Sequence, residues 1–135
     1  MKKYQVLICD DDPEIRVALR RTLRDFKVDE AADPAEALAL LKLTPYAALV
    51  SDFSLGTEAD GLELLQQVKV LYPDMVRVMV TGSRDLTVAI RAVNEGSVDR
   101  FFLKPWDDLK LVTTLEMLMH GRQALTAKEV GEGRT

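Results

Sequence analysis

The sequence predicts an α/β fold in which a five-stranded parallel sheet carries helices on both faces. Short apolar runs alternate with segments of helical period five times along the 135 residues. Most of the runs are continuously apolar, which is typical of strands buried on both faces of a parallel sheet. Parallel strands need crossover connections, and the helical segments supply them. We therefore expect a doubly wound (βα)5 arrangement.

The strands are predicted where apolar runs are bounded by charged or turn residues. They are expected at residues 6–9, 28–31, 47–50, 76–80 and 101–103, with 28–31 the weakest. Proline is favoured in the first turn of a helix and aspartate at its N-cap. The helices are therefore expected to begin at or just after Pro13, Pro34, Asp60, Asp85 and Asp107 or Asp108. The fifth helix runs to about Ala124 or beyond.

Length and composition fit one domain over residues 1–125, followed by a flexible tail or the start of a linker over residues 126–135. Hydrophobic residues make up 47% of the chain and charged residues 30%, which allows a packed core. The formal net charge of −4 argues against direct binding of nucleic acid, because a phosphate backbone attracts basic patches. The apolar runs are too short to span a bilayer, and no secretory pattern is present. We therefore expect a cytoplasmic location with no membrane partner.

Acidic residues follow two strands that are neighbours in this architecture. Asp10 and Asp11 follow the first strand, and Asp52 follows the third. Ligands of open α/β sheets bind beyond the carboxyl ends of the strands, so these carboxylates should converge. A hard divalent cation, Mg²⁺ or Mn²⁺, would relieve their repulsion and still leave room for water and a phosphate. The alternative is that this acidic run only caps the first helix, a role that fits Asp12 best.

Two further side chains are expected at the same edge of the sheet. Lys104 follows the last strand, where its ammonium can pair with Asp52 and later with a phosphoryl oxygen. A cis bond to Pro105 would turn Lys104 toward the site. Thr81 ends the fourth strand, and its hydroxyl can donate to a phosphoryl oxygen, while Gly82 lets the backbone approach closely. Taken singly, a surface lysine and an ordinary strand-end turn remain alternatives.

Four motifs stand at the four strand ends that carry these residues. They are Leu-Ile-Cys-Asp-Asp-Asp-Pro at 7–13, Val-Ser-Asp at 50–52, Val-Thr-Gly at 80–82 and Phe-Leu-Lys-Pro at 102–105. In this order and spacing they resemble the response-regulator receiver family of two-component signalling, over residues 3 to 121. The resemblance is to receivers similar to the chemotaxis response regulator. It implies a flavodoxin-like strand order, 2-1-3-4-5.

The resemblance also implies the role of each acidic residue. Asp52 would be the phosphoacceptor, a nucleophile that becomes an aspartyl phosphate. Asp11 would bind Mg²⁺ directly and Asp10 largely through water. The backbone carbonyl of Ser54 would complete the protein ligands.

A switch and a set of partners are implied in the same way. Thr81 and Lys104 would hold phosphoryl oxygens, and Phe101, at the family's aromatic switch position, would rotate inward as Thr81 moves. The donor would be a phosphohistidine on a sensor histidine kinase or a phosphotransfer protein. The surface of the fourth helix, fifth strand and fifth helix would then act on an output domain or partner protein. Such a domain assists its own phosphorylation and dephosphorylation and is not expected to turn over a separate substrate.

The fifth helix is apolar over a wide arc. This predicts either a broad core-facing helix or a second contact, with a homodimer or an output domain as its partner. Trp106, just before that helix, is open to the same two interpretations. The apolar residues are Leu109, Leu111, Val112, Leu115, Met117, Leu118 and Met119.

The loop after Asp52 departs from the family pattern. The loop lacks the usual proline, and Gly61 stands one residue later than the family's glycine.

The sequence leaves three alternative functions open. A receiver that takes no phosphate and acts only as an interaction module is one alternative. A Mg²⁺-dependent phosphatase with an aspartate nucleophile would need a second aspartate where Ser54 stands. A flavodoxin-like electron carrier would need a phosphate-binding loop where the acidic run 10–12 stands.

Overall fold

In a computed structural model of the chain, residues 4–53 and 60–132 are described, and their five strands form a single parallel sheet. The strands are β1 Gln5–Cys9, β2 Lys27–Ala31, β3 Ala48–Ser51, β4 Val76–Thr81 and β5 Arg100–Leu103. The helices are α1 Pro13–Thr22, α2 Pro34–Leu43, α3 Asp60–Leu71, α4 Leu86–Asn94 and α5 Asp108–Glu132, and a 3₁₀ turn over Ser83–Asp85 precedes α4. The strand order is β2-β1-β3-β4-β5 with every pair parallel, which confirms the predicted fold.

Aspartates fix the starts of α1 and α2. The Asp12 carboxylate accepts a hydrogen bond from the Glu14 N–H at 2.9 Å, and the Asp33 carboxylate accepts one from the Glu36 N–H at 2.8 Å. A proline follows each cap, where its missing N–H would have no partner inside the helix. Asp12 is therefore engaged as a helix cap, the role that the sequence favours for it.

The sheet separates two apolar layers. Successive strand residues face opposite layers because side chains alternate along a strand. One layer is closed by α2, α3 and α4, and the other by α1 and α5. The central buried residues are Leu7, Leu49 and Met79 in the first layer and Ile8, Val50 and Val78 in the second. A shift of one residue would exchange the two sets, so this packing fixes which residues emerge at the carboxyl edge.

Helix α5 packs one face on the sheet. Leu111, Leu115 and Met119 are buried and lie four residues apart, as one face of a helix requires. Leu109 and Met117 are exposed. The wide apolar arc is therefore mostly core packing, with these two residues turned outward.

Helix α5 continues over residues 126–132, within the segment that the sequence predicts to be a flexible tail or the start of a linker. The segment has no proline, and alanine, lysine and glutamate extend a helix readily once it has begun. Where the domain ends, and whether this segment begins a linker, stay predictions. Within the described residues, no helix combines the length and the apolar character that crossing a membrane requires.

Candidate functional site

β1 and β3 bring two of the predicted acidic residues to adjacent positions. The register pairs Cys9 with Ser51, so Asp10 and Asp52 emerge together at the carboxyl edge of the sheet. The Asp52 N–H donates to the Cys9 carbonyl at 3.1 Å and extends the pairing by one residue. The two carboxylates are neighbours because the two strands end together.

Lys104, which follows β5, joins these carboxylates. Its Nζ lies 3.1 Å from Asp10 Oδ2 and 3.1 Å from Asp52 Oδ2. Asp10 is 1% exposed and Asp52 is 9% exposed, so salt screens these ion pairs less than pairs on the surface. The other oxygen of each carboxylate accepts a backbone N–H, from Asp12 at 2.9 Å and from Phe53 at 2.8 Å.

Burial and charge act in opposite directions in this cluster. Burial raises the pKa of the Asp10 carboxyl above its ordinary value, and the Asp12 N–H and the Lys104 ammonium only partly offset that rise. Burial lowers the pKa of Lys104, but the carboxylates of Asp10 and Asp52 outweigh it and hold that pKa above its ordinary value. The lysine is therefore charged at neutral pH, whereas keeping Asp10 charged is unfavourable to the fold.

Asp11 completes a set that could hold a metal ion. One carboxylate oxygen from each of Asp10, Asp11 and Asp52 lies within 4.8 Å of the others. Opposite ligands of Mg²⁺ stand about 4.2 Å apart, since each bond is about 2.1 Å long. Oxygens within 4.8 Å of one another therefore need only small movements to bind one cation. Asp11 is exposed, which leaves a side open to water and to a phosphate. Three carboxylates with one ammonium leave two negative charges, which a divalent cation balances.

Thr81 and Phe101 lie on the same side of the sheet. Thr81 is fully buried at the end of β4, and its Oγ1 donates to Asp85 Oδ2 at 3.3 Å. Asp85 occupies the predicted N-cap position of α4, yet its carboxylate makes no capping hydrogen bond to that helix among the described residues. Phe101 pairs in register with Met79, two residues before Thr81, and packs partly buried on the layer of α2, α3 and α4. The two predicted switch residues are therefore diagonal neighbours.

The segment after β5 is fixed to its surroundings at two points. The Lys104–Pro105 peptide bond is cis, the geometry that the sequence predicts, and the Lys104 N–H donates to the Thr81 carbonyl at 2.8 Å. The indole N–H of Trp106 is shared between Thr22 Oγ1 at 2.9 Å and Asp108 Oδ1 at 3.0 Å. Trp106 also packs on the layer of α1 and α5. The structure thus assigns it a packing role, with part of the ring still exposed.

Gly61, in the first turn of α3, contacts the backbone that carries Asp52. A Cβ placed on Gly61 would lie 2.1 Å from the Asp52 carbonyl oxygen and 2.2 Å from that of Phe53. The Gly61 N–H donates to the Phe53 carbonyl at 2.9 Å. From the sequence, Gly61 stands out only as a glycine displaced by one residue. The structure shows that only glycine permits this approach of helix and strand end.

No motif marks Arg16 on α1, yet this residue holds the end of β1. Its guanidinium donates from Nη1 to the Asp10 carbonyl at 2.6 Å and from Nε to Glu30 Oε1 at 3.1 Å. Glu30, on β2, also pairs with Arg20 one turn further along α1. The network fixes the Asp10 backbone from outside the acidic cluster. In the sequence, its only signal is the spacing of two arginines by one helical turn.

The loop over residues 54–59 lies outside the described residues. The Ser54 carbonyl, which the resemblance implies as a metal ligand, therefore stays a prediction. The same holds for the effect of the missing proline and the additional residue.

Comparison with known proteins identifies the family. Residues 6–116 match the family model of the response regulator receiver domain. The chain belongs to this family. The matched residues include the sheet apart from Gln5, the helices α1 to α4 and the first turns of α5, with all the strand ends that meet at the site.

Longer regulatory proteins resemble the chain in sequence over part of their length. It is 34% identical over 128 residues to the hydrogenase transcriptional regulatory protein HoxA of Cupriavidus necator, a match that covers 94% of this chain and 25% of that protein. It is 35% identical over 109 residues to the C4-dicarboxylate transport transcriptional regulatory protein DctD of Rhizobium meliloti, with 79% and 23% covered. The chain spans about a quarter of the length of these curated relatives.

Solved structures also resemble this receiver. A chain described as the adenylate cyclase from Rhodopirellula baltica superposes with a TM-score of 0.88 at 32% identity, covering 98% of this chain and 99% of that one. The receiver domain of NtrX from Brucella abortus gives a TM-score of 0.79 at 28% identity, with 85% and 98% covered. The predicted family and fold are confirmed, and the chain is a receiver domain of two-component signalling.

Proposed function

We propose that this receiver accepts a phosphoryl group on Asp52 from a phosphohistidine of a histidine kinase or phosphotransfer protein. The observation that carries the proposal is the lysine shared by two carboxylates, with Lys104 Nζ 3.1 Å from both Asp10 and Asp52 and with Asp11 beside them. Phosphoryl transfer depends mainly on positioning and on neutralisation of charge. This cluster supplies both, at a partly open edge of the sheet.

In the proposed transfer, an Asp52 carboxylate oxygen attacks phosphorus in line with the histidine nitrogen of the donor. The oxygen–phosphorus bond forms, the nitrogen–phosphorus bond breaks, and the imidazole nitrogen takes up a proton from solvent. Lys104 leaves Asp52 Oδ2 and donates to a phosphoryl oxygen, and a second of its three N–H groups keeps Asp10. The Thr81 hydroxyl donates to another phosphoryl oxygen.

The metal proposed for this site is Mg²⁺, with Mn²⁺ as a substitute. Asp11 and Asp52 would bind it directly, Asp10 largely through water, and the Ser54 carbonyl would complete the protein ligands. When bound, the ion neutralises charge on the carboxylates and on the phosphoryl oxygens. The spacing of the three carboxylates and their two unbalanced negative charges support this choice.

The proposed output is a change in the surface formed by α4, β5 and α5. Thr81 moves toward the phosphoryl group, Phe101 rotates inward, and the domain shifts between two conformations. Exposed Leu86 and Ile90 on α4 give this surface apolar contacts for a homodimer, an output domain or a partner protein. We expect no turnover of a separate substrate, and a location in the cytoplasm.

Intact mass spectrometry tests the proposal. The wild-type chain, incubated with acetyl phosphate and Mg²⁺, should gain the mass of one phosphoryl group. The Asp52→Asn variant and a metal-chelated wild-type sample should gain none. A wild-type chain that stays unmodified with acetyl phosphate and with a panel of phosphorylated kinases would overturn the proposal and favour the phosphate-independent interaction module.

A further inference from the structure

The hydroxyl of Thr81 has a partner before any phosphoryl group arrives. Its Oγ1 donates to Asp85 Oδ2 at 3.3 Å, and Thr81 is fully buried. A hydroxyl carries a single O–H proton, so it donates fully to one acceptor at a time. A phosphoryl oxygen on Asp52 must therefore take this proton away from Asp85.

Asp85 occupies an N-cap position but does not cap. An aspartate there ordinarily accepts an N–H from the first turn of its helix, as Asp12 does for α1. At α4 the side chain makes no such bond among the described residues, and its carboxylate accepts from Thr81 instead. The local sequence favours this carboxylate as a cap of α4, but in the folded structure it accepts a hydrogen bond from Thr81.

We propose that Asp85 is a positioning residue that competes with the phosphoryl group for the Thr81 proton. By holding Thr81 in the resting arrangement, it lowers the fraction of molecules in which that hydroxyl is free. Apparent affinity for a ligand falls in proportion to the binding-competent fraction. The inference deepens the proposed phosphorylation of Asp52 and rests on it. It concerns how readily the site responds, and Asp85 itself touches no reacting atom.

The size of the effect follows from the strength of one hydrogen bond. A bond to a charged acceptor is stronger than a neutral one, but this bond is long and only partly buried. We therefore expect removal of the Asp85 carboxylate to tighten binding of a phosphoryl group by about fivefold to tenfold. Damage to the fold would act in the opposite direction and weaken binding, so the sign of the change is itself informative.

The experiment is a double-mutant cycle on Asp85 and Thr81. The dissociation constant of beryllofluoride, a mimic of the phosphoryl group, is measured at saturating Mg²⁺ by the fluorescence of Trp106, the single tryptophan of the chain. Asp85→Ala should tighten binding about fivefold to tenfold, and Thr81→Val should weaken it. Added to Thr81→Val, Asp85→Ala should have no effect, because no hydroxyl proton is left to compete for. Glu95→Ala, an exposed carboxylate lost at the other end of α4, should change nothing.

Each outcome of the cycle has one meaning. If Asp85→Ala binds beryllofluoride as tightly as the wild type or more weakly, the inference is overturned. It is also overturned if Asp85→Ala tightens binding equally with and without the Thr81 hydroxyl, because the effect would then come from charge alone. If Asp85→Ala does not fold, Asp85→Asn replaces it, with tightening of the same sign and smaller size expected. Failure of the proposed function looks different, because the wild-type chain itself would then bind no beryllofluoride.

Discussion

Replacing Gly61 by alanine should disable the site without touching any of its functional groups. The new Cβ would stand 2.1 Å from the Asp52 carbonyl oxygen, where an ordinary van der Waals contact needs at least 3.4 Å. The obstacle is backbone and cannot rotate aside, so α3 and the end of β3 must separate by about 1 Å. Overpacking of this kind costs about 1–3 kcal/mol. A misplacement of about 1 Å at a reacting group can slow a reaction by about a hundredfold.

Two measurements check this expectation. The melting temperature of Gly61→Ala should fall by roughly 5–10 °C, and its rate of phosphorylation by acetyl phosphate should fall by about tenfold to a hundredfold. Gly121→Ala is the matched control, because no atom lies within 4 Å of a Cβ at that exposed position of α5. It should raise stability by about 0.5–1 kcal/mol and leave the rate unchanged. A Gly61→Ala variant that phosphorylates at the wild-type rate would refute the close packing of α3 on Asp52.

Three further substitutions probe the charges of the site. Asp10→Asn should stabilise the metal-free chain by about 1 kcal/mol in urea unfolding, because the raised pKa of Asp10 makes its charged form unfavourable. This gain in stability should reach its full size at pH values above the pKa of Asp10 in the folded chain. It should vanish below about pH 3.8, the ordinary pKa of this carboxyl group. Binding of Mg²⁺ should reverse the gain. Lys104→Gln should destabilise the metal-free chain by about 2 kcal/mol, and saturating Mg²⁺ should recover most of that loss. Arg16→Met should weaken Mg²⁺ binding by about fivefold, as measured by titration calorimetry. Arg20→Met, which loses the same Glu30 without touching Asp10, should bind Mg²⁺ as the wild type does.

The sequence was sufficient for the parts of the site that depend on topology. The apolar runs of the sequence predict four buried strands, and each of them ends at or just before one of the residues Asp10, Asp52, Thr81 and Lys104. Parallel strands bring all their carboxyl ends to one edge, so convergence of these residues follows from the order of elements alone. The same reasoning yields the strand order once the family resemblance is added.

What the sequence could not supply depends on how separate elements approach each other. Gly61 matters because α3 packs on the Asp52 carbonyl, and a displaced glycine does not reveal that distance. Arg16 contacts the Asp10 carbonyl and also Glu30, which the pairing of β1 and β2 places nearby, and no motif reveals this arrangement. Local rules favour the Asp85 carboxylate as a cap of α4, but in the folded chain it accepts a hydrogen bond from Thr81 instead.

The numbers of protons on Lys104 and Thr81 give these residues different parts in any response. The ammonium of Lys104 has three N–H donors, and two of them already hold Asp10 and Asp52. Its third N–H can therefore meet an arriving phosphoryl oxygen before Lys104 leaves Asp52, and its charge serves the resting and the phosphorylated site alike. Thr81 has one O–H donor, which already donates to Asp85. Any bond that it makes to a phosphoryl group must break an existing one, so Thr81 is where binding at Asp52 becomes movement at the start of α4.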